Sequence, residues 1–336
     1  MAKQDKKEKP TLVAEPPKAF EPMRAARMLP SFGHLLGSIE PAAYKVPSMM
    51  SMVEKRVLFN LARKHYSGEG VIIDAGIFLG GSTVCFGEGI RANAHARAIK
   101  RAWDKPVIAF EKAIIGNRMP EFFDRNNVTG MGAPGESFAD ALRENIAAVA
   151  DLVDLRIGDI METARGVDHP VEILFLDVLK LPDISKFMIR QFFTRLIPGV
   201  SIVVHQDYFY ELLPYIMTDQ EFFRDYFTFI GEACSTALFL CTKAIPLEAI
   251  EQLEAGLSAD EQERLVSIAL QRSTDPARRF MVALAKTRLI NQLQGEDAAY
   301  DYLCHVRREF PEQATSPLPR LRQALQAVEK LCAGGR

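Results

Sequence analysis

Short apolar runs alternate with amphipathic segments through the middle of the chain. The runs are rich in valine, isoleucine and leucine, which is typical of strands buried on both faces of a parallel sheet. The strands predicted in this way are residues 71–74, 107–110, 152–157, 171–177 and 200–204. The segments between them have helical periodicity, most clearly at 137–150. The pattern therefore predicts a sheet that helices cover on both sides.

The alternation of predicted strands and helices changes after residue 207. Segments 227–232 and 237–242 have the composition of strands and are separated by only a few residues. A parallel crossover needs about a dozen residues or more, so these two strands must pair antiparallel. The predicted fold is α/β: a doubly wound seven-stranded sheet of five parallel strands plus a C-terminal antiparallel hairpin, followed by an all-α C-terminal appendage.

The chain divides into three predicted parts. Residues 1–46 are charged and rich in proline, so we predict a mostly disordered tail, with ordered structure beginning near Pro47. Residues 47–245 hold the sheet, and residues 246–336 have the pattern of helices only. One apolar stripe of this appendage consists of Leu321, Leu325, Val328 and Leu331. Because the sheet domain is predicted to be complete by Ile245, these stripes must pack elsewhere, either on one face of the sheet or against a partner. An exposed stripe would be a sizeable apolar patch, so we expect the appendage to mediate self-association or to cap the site in trans.

Composition narrows the classes of function. The 336 residues include 41 basic and 43 acidic side chains, and this net charge of −2 argues against a general nucleic-acid binder. No apolar run approaches the roughly 20 residues that cross a bilayer, and the first residues lack the apolar centre of a signal peptide. The five cysteines are scattered and show no metal-ligand spacing. We therefore expect a cytoplasmic protein with reduced thiols, no nucleic-acid partner and no membrane span.

The most informative segment runs from the first predicted strand into a glycine-rich loop. It contains Asp74, Gly76, Gly80 and Gly81, followed by an apolar segment compatible with a helix. This is typical of a strand, a tight turn and a crossover helix, with glycines that let the backbone approach a ligand. The spacing Gly-x-x-x-Gly-Gly differs from the Gly-x-Gly-x-x-Gly dinucleotide fingerprint. A nucleoside ligand without a pyrophosphate fits this loop better than a nicotinamide dinucleotide.

Further motifs accompany the loop in a fixed order between residues 50 and 245. They are the helix with Glu54, the loop 74–83, Phe110-Glu111, and the segments 119–123, 158–163, 175–177 and 203–208. With this ordered set the chain resembles class I S-adenosylmethionine-dependent methyltransferases. Within that class it is most similar to the branch of macrocin-type sugar O-methyltransferases and related glycan-modifying or cephalosporin-hydroxylase-like proteins.

The resemblance implies S-adenosyl-L-methionine as the cofactor and a role for each residue around it. Glu111 would bind the ribose hydroxyls, which suits a carboxylate because it accepts two hydrogen bonds at once. Asp159, with Ile160 beside it, would lie near the adenine, and Asp74 near the sulfonium or amino group. The residues that would approach the methionine portion or cap the next helix are Gly76, Gly80, Gly81, Ser82 and Thr83. Solvated acids at strand ends and a tight turn are the simpler interpretation of the same residues.

Two acids and a histidine are the candidates for catalysis. By the resemblance, Asp177 and Asp207 would hold a divalent cation, Mg²⁺, that lowers the pKa of a sugar hydroxyl. The acid-rich stretch expected after Asp177 is replaced by residues 178–183, and Gln206 stands where a further acid is expected. This ligand set is thin for a hard cation. His205 follows an apolar strand and titrates near neutral pH, which makes it the candidate general base. A histidine bonded to neighbouring backbone explains the same position.

These observations lead to one main hypothesis and two alternatives. The main hypothesis is an S-adenosylmethionine-dependent O-methyltransferase that acts on a sugar, a glycan or a glycosylated small molecule, and that forms a homo-oligomer. One alternative is a catalytically inactive methyltransferase-like interaction or scaffold protein, which the thin set of acids favours. The other is a nicotinamide-dependent oxidoreductase, against which the loop spacing and the terminal hairpin both argue.

Overall fold

A seven-stranded sheet forms the centre of the protein. The structure is a computed structural model that describes residues 32–332. The strands are β1 (Val71–Ala75), β2 (Val107–Glu111), β3 (Val153–Ile157), β4 (Val171–Leu176), β5 (Ile202–His205), β6 (Phe227–Ala233) and β7 (Thr236–Cys241). Their order across the sheet is β3-β2-β1-β4-β5-β7-β6. Strands β1 to β5 are parallel, whereas β7 pairs antiparallel with β5 and β6, so the predicted α/β fold is confirmed.

Helices precede, connect and follow the strands, and they are numbered here in chain order. Up to the hairpin they are α1 (Phe32–Leu35), α2 (Pro41–Lys45), α3 (Met52–Asn60), α4 (Gly81–Arg91), α5 (Ala96–Ala102), α6 (Met119–Arg125), α7 (Ala139–Ile146), α8 (Ile160–Thr163), α9 (Pro182–Phe192) and α10 (Pro214–Phe222). After the hairpin they are α11 (Leu247–Glu254), α12 (Ala259–Arg272), α13 (Pro276–Gln294), α14 (Glu296–Glu309), α15 (Pro311–Ala314) and α16 (Pro319–Cys332). A π-helical turn, Leu61–His65, continues α3, and a 3-10 segment, Ala147–Leu152, continues α7.

Side-chain caps fix where several of these helices begin. Helix α3 starts at a capping box, in which Ser51 Oγ accepts from the Glu54 amide (3.2 Å) and a Glu54 carboxylate oxygen accepts from the Ser51 amide (2.7 Å). The side chains of Ser258 and Asp275 cap α12 and α13. Each cap satisfies backbone donors that the first helical turn leaves free, so local sequence sets these boundaries.

The N-terminal part is ordered earlier in the chain than predicted. Helices α1 and α2 both lie before Pro47, and their Leu35 and Ala43 are buried. The Lys55 ammonium donates to the Val46 carbonyl (2.7 Å), which joins this segment to α3. Ordered structure therefore begins before Pro47, and the predicted start was too late in the chain. The rest of the predicted disordered tail, residues 1–31, lies outside the described residues.

Each face of the sheet has its own apolar core, because successive strand side chains point to opposite faces. Ile72 of β1 lies in the core under α2, α3, α4 and α7, and Ile73 lies in the opposite core. Helices α8 to α10 cover this second face, and Ile250 of α11 and Val266 of α12 are part of the same core. The sheet itself ends with β7, before Ile245, and the first helices of the appendage pack on its second face.

The last apolar stripe is buried inside the chain. Leu321, Leu325 and Val328 of α16 share an apolar cluster with Phe280 of α13 and Leu303 of α14. The expectation of self-association depended on such stripes having to be buried against a partner. Self-association stays a prediction, now without an exposed stripe to support it.

Ion pairs also bind the appendage to the sheet region. They are Arg272–Glu221 (2.7 Å), Arg278–Glu232 (2.9 Å) and Arg320–Glu211 (2.6 Å). The side chains of Glu221 and Glu211 are only 1% and 3% exposed, so each depends on its arginine for charge compensation. Among residues 32–332, no helix is both long enough and apolar enough to cross a bilayer.

Candidate functional site

The strand order reverses between β1 and β4. The chain proceeds from β1 to β2 on one side and from β4 to β5 on the other. In open sheets of this kind, ligands bind beyond the carboxyl ends of the strands at such a reversal. Gly76 follows β1 there with φ +88°, and a Cβ on it would lie 2.8 Å from the Asp177 carbonyl group after β4. Only glycine allows the two loops to approach so closely, and this crevice is the candidate site.

The other two glycines of the loop are explained by packing within the chain. Gly80 precedes α4 with φ +93°, and a Cβ there would lie 2.4 Å from a methyl group of Ile146. A Cβ on Gly81 would lie 2.8 Å from the Ser48 side chain. Both neighbours are protein atoms, so the tight-turn interpretation accounts for these two residues without a ligand.

Asp74 is a buried carboxyl group within β1. One oxygen, Oδ2, accepts hydrogen bonds from Ser82 Oγ (3.1 Å) and Thr83 Oγ1 (2.7 Å). Ser82 and Thr83 were expected to cap α4, but they bond to Asp74, and the cap position is held by Gly80 without a side-chain bond. Burial raises the pKa of Asp74 to about 7. Its Oδ1 has no hydrogen-bond partner within the described part of the chain.

Glu111 is the carboxylate at the end of β2, and backbone amides hold both of its oxygens. The Phe78 amide donates to Oε2 (2.6 Å), and the Ala113 amide donates to Oε1 (3.1 Å). Phe78 adopts φ +51° in doing so, which is uncommon for a residue with a side chain. Each carboxylate oxygen accepts more than one hydrogen bond, so the fixed carboxylate retains acceptor capacity for ligand hydroxyls.

Asp159 and Ile160 have structural roles at the start of α8. The Asp159 side chain accepts from the Met161 amide (2.8 Å) and caps the helix. Ile160 is buried in the apolar core, whereas Asp159 is exposed. A turn aspartate at a helix start is the simpler of the two interpretations of Asp159, and the geometry favours it.

Asp177 and Asp207 are brought together by a lysine that the sequence reasoning missed. The Lys180 ammonium donates to Asp177 Oδ1 (2.8 Å) and also to Asp207 Oδ2. Burial raises the pKa of Asp177 to about 7, against the opposing effect of the Lys180 charge. No cluster of three or more histidine, cysteine or acidic side chains suited to a metal occurs among residues 32–332. With an ammonium already between the two acids, these residues do not fit a divalent cation.

His205 is placed differently from the prediction. It is the last residue of β5, 2% exposed, and its ring packs against Tyr208 and Phe239. Its Nε2 lies 2.9 Å from Gln220 Oε1, and burial lowers its pKa to about 4. The imidazole is buried and contacts Gln220, Tyr208 and Phe239, which argues against the predicted role of general base.

Gln206 belongs to a buried polar network around Glu54. Glu54 Oε1 accepts from Gln206 Nε2 (3.0 Å) and from Thr236 Oγ1 (2.8 Å), and Thr236 also contacts Gln206 Oε1 (2.9 Å). The amide of Gln206 is thus occupied at both ends, which removes it as a third ligand beside Asp207.

A cavity of about 580 Å³ opens beside Lys180, the lysine that bridges the two acids. Its wall includes Lys180 and Tyr215, from the segments that follow β4 and β5. Leu257 and Gln292 also line it, so the appendage supplies part of the wall. The volume is within the range of small-molecule sites, and the lining mixes apolar and hydrogen-bonding groups as such sites do.

No family model matches the chain, and no curated protein matches it. The class of the protein must therefore be argued from its own residues.

Proposed function

We propose that the protein binds S-adenosyl-L-methionine at the crevice between β1 and β4 and methylates a hydroxyl group of a sugar or glycan-linked small molecule. The observation that carries the proposal is the Glu111 carboxylate, held by two backbone amides at the end of β2 beside the strand-order reversal. A carboxylate fixed in this way is suited to a vicinal diol such as that of ribose, because no side-chain freedom is lost on binding.

Asp74 offers further support for a ligand with a positively charged group. Its Oδ1 is buried without a partner in the described residues, directly below the glycine loop. An unsatisfied buried acceptor is costly, and a donor from a bound ligand would remove that cost. The resemblance to class I methyltransferases assigns Asp74 to this part of the cofactor.

The molecule that accepts the methyl group would bind in the cavity beside Lys180. Methyl transfer to an alcohol needs alignment of the oxygen with the methyl group and a base for the proton. The cofactor supplies an electrophilic methyl group when bound. Asp177, whose pKa is raised by burial, accepts a hydrogen bond from Lys180, which lines the cavity, and it replaces His205 as the candidate base for the hydroxyl proton.

Titration calorimetry with S-adenosylhomocysteine tests the cofactor site. Glu111→Gln should weaken binding by about 10- to 150-fold, which corresponds to roughly 1.5–3 kcal/mol for hydrogen bonds to a charged group. Glu144→Gln, at an exposed position of α7, is the matched control and should bind like the wild type. Absence of binding by the wild type at millimolar ligand would overturn the proposal.

An interaction or scaffold protein is the second candidate, and one observation favours it. Each acid assigned to ligands already has a partner inside the chain: Asp74 Oδ2 accepts from two hydroxyls, Glu111 and Asp159 accept from backbone amides, and Asp177 and Asp207 accept from Lys180. Such a protein would keep these contacts for stability alone. The same titration separates the two, since a scaffold has no reason to bind the nucleoside.

A further inference from the structure

Lys180 lies where the resemblance to metal-dependent enzymes calls for a cation. Its ammonium contacts Asp177 at the end of β4 and Asp207 after β5, and thereby bridges two strands that are neighbours in the sheet. We propose that Lys180 is a built-in cation, which balances this pair of carboxylates in place of a divalent metal and keeps metals out of the site.

The negative charges of Asp177 and Asp207 require a cation between them. Two carboxylates at neighbouring strand ends repel each other unless a cation lies between them. An ammonium has three N–H donors, and Lys180 uses two of them on Asp177 and Asp207. Because Lys180 is only three residues beyond Asp177, its effective concentration at the site is high, and a free metal ion has to displace a tethered competitor.

The remaining coordination gives a metal ion little advantage over the lysine. Mg²⁺ and Ca²⁺ take about six or more oxygen ligands, and Mg²⁺ is often held by one or two carboxylates with waters in the other positions. The nearest further candidate in sequence, Gln206, is engaged by Glu54 and Thr236. While Lys180 is in place, a metal ion would therefore have only the two carboxylates, and both already accept from the ammonium.

The third N–H of the ammonium gives the built-in cation a role toward ligands. Lys180 lines the 580 Å³ cavity, so this donor is available to a hydroxyl group bound there. This point alone rests on the proposed function: an acceptor oxygen held by Lys180 would lie beside the carboxylates that take its proton. Lys180 is then a positioning residue as well as a counter-ion.

Removal of the lysine should convert the pair of acids into a metal site. We expect Lys180→Ala to melt at a lower temperature than the wild type, and Mn²⁺ at about 1 mM to restore part of that loss by binding the folded state. The wild type should show no Mn²⁺-dependent shift. Lys186→Ala is the matched control, because Lys186 lines the same cavity without an ion pair to Asp177 or Asp207.

Two additional variants keep the test decisive. Lys180→Arg preserves the charge and should remain insensitive to Mn²⁺. Lys180→Gln removes the charge but keeps a hydrogen-bond donor, and it substitutes for the alanine variant if that protein fails to fold. Asp177→Asn in the Lys180→Ala background should abolish the gained response. The proposal is overturned if the wild type binds Mn²⁺ and loses that binding on Asp177→Asn, or if folded Lys180→Ala gains no response. None of these readouts needs the nucleoside cofactor, so the result is independent of the proposed function.

Discussion

Arg272 should contribute more to stability than its position near the surface suggests. Its guanidinium donates to both oxygens of Glu221 (2.9 and 2.7 Å), and Tyr208 Oη donates to the same carboxylate (2.5 Å). Glu221 lies on α10 and Arg272 at the end of α12, so the pair joins the sheet region to the appendage. We predict that Arg272→Met destabilises the protein strongly, because it leaves a charged carboxylate without compensation.

The magnitude follows from the exposure of the two partners. Breaking a buried pair by removal of one partner costs about 3–5 kcal/mol. The Glu221 side chain is 1% exposed, but that of Arg272 is 26% exposed, and the Tyr208 hydrogen bond persists in the variant. These facts place the expected loss near the lower end, at about 3 kcal/mol. A typical domain is stable by only about 5–15 kcal/mol, so this is a large fraction of the total.

Urea unfolding followed by circular dichroism measures this loss. Arg143→Met is the matched control, because the Arg143–Asp140 pair is exposed on both sides (58% and 102%) and should cost less than about 1 kcal/mol. Glu221→Leu combined with Arg272→Met should recover most of the stability, since replacing both ends of a buried pair is often neutral. Equal losses in Arg272→Met and Arg143→Met would refute the reasoning.

Two further predictions concern a titrating group and a backbone conformation. Burial lowers the pKa of His205 to about 4 from 6.5, so its contribution to stability is full above pH 6.5 and declines by up to about 1.4 kcal/mol per unit as the pH falls toward 4. The pKa values of Asp74 and Asp177 are raised to about 7, so these two groups stabilise the fold as the pH falls and oppose the histidine effect. The difference in unfolding free energy between wild type and His205→Gln, measured across pH 4–7, therefore isolates the histidine. A difference that stays constant with pH would contradict this prediction. Gly80→Ala should cost about 1–3 kcal/mol in thermal unfolding, because of its φ of +93° and the contact with Ile146; a loss below about 0.5 kcal/mol would show that the loop is held differently.

The strands and the hairpin were predictable because their signal is local. Apolar runs such as that of β4 encode burial on both faces, and the short connection between β6 and β7 leaves room only for an antiparallel turn. Helix starts at Ser258 and Asp275 were predictable for the same reason, since a cap and its partners lie within one turn.

The role of His205 was missed because of where β5 ends. The sequence placed the end of the strand at Val204, which would put the next side chain at the edge of the sheet. The strand continues through His205, whose side chain then shares a face with Val203 and meets Gln220 of α10.

Lys180 could not be assigned from sequence, because its role depends on two segments of the chain meeting, residues 177–180 and the segment with Asp207. Only the fold brings Asp207 beside Asp177, and only then does a lysine three residues after Asp177 become a bridge. The sequence did show that acids were missing after β4, but a missing acid does not reveal what takes its place.

The hydrogen bonds around Glu54 can form only late in the synthesis of the chain. Thr236, one of its hydrogen-bond partners, is 182 residues further along the chain. At about 5–20 residues per second, a ribosome needs on the order of 9–36 seconds to add that length. Until then, Glu54 Oε2 in the nascent α3 can accept from the Ser51 amide, but Oε1 lacks Thr236 as a partner. The native hydrogen bonding of Glu54 is therefore complete only after nearly the whole sheet has been synthesised.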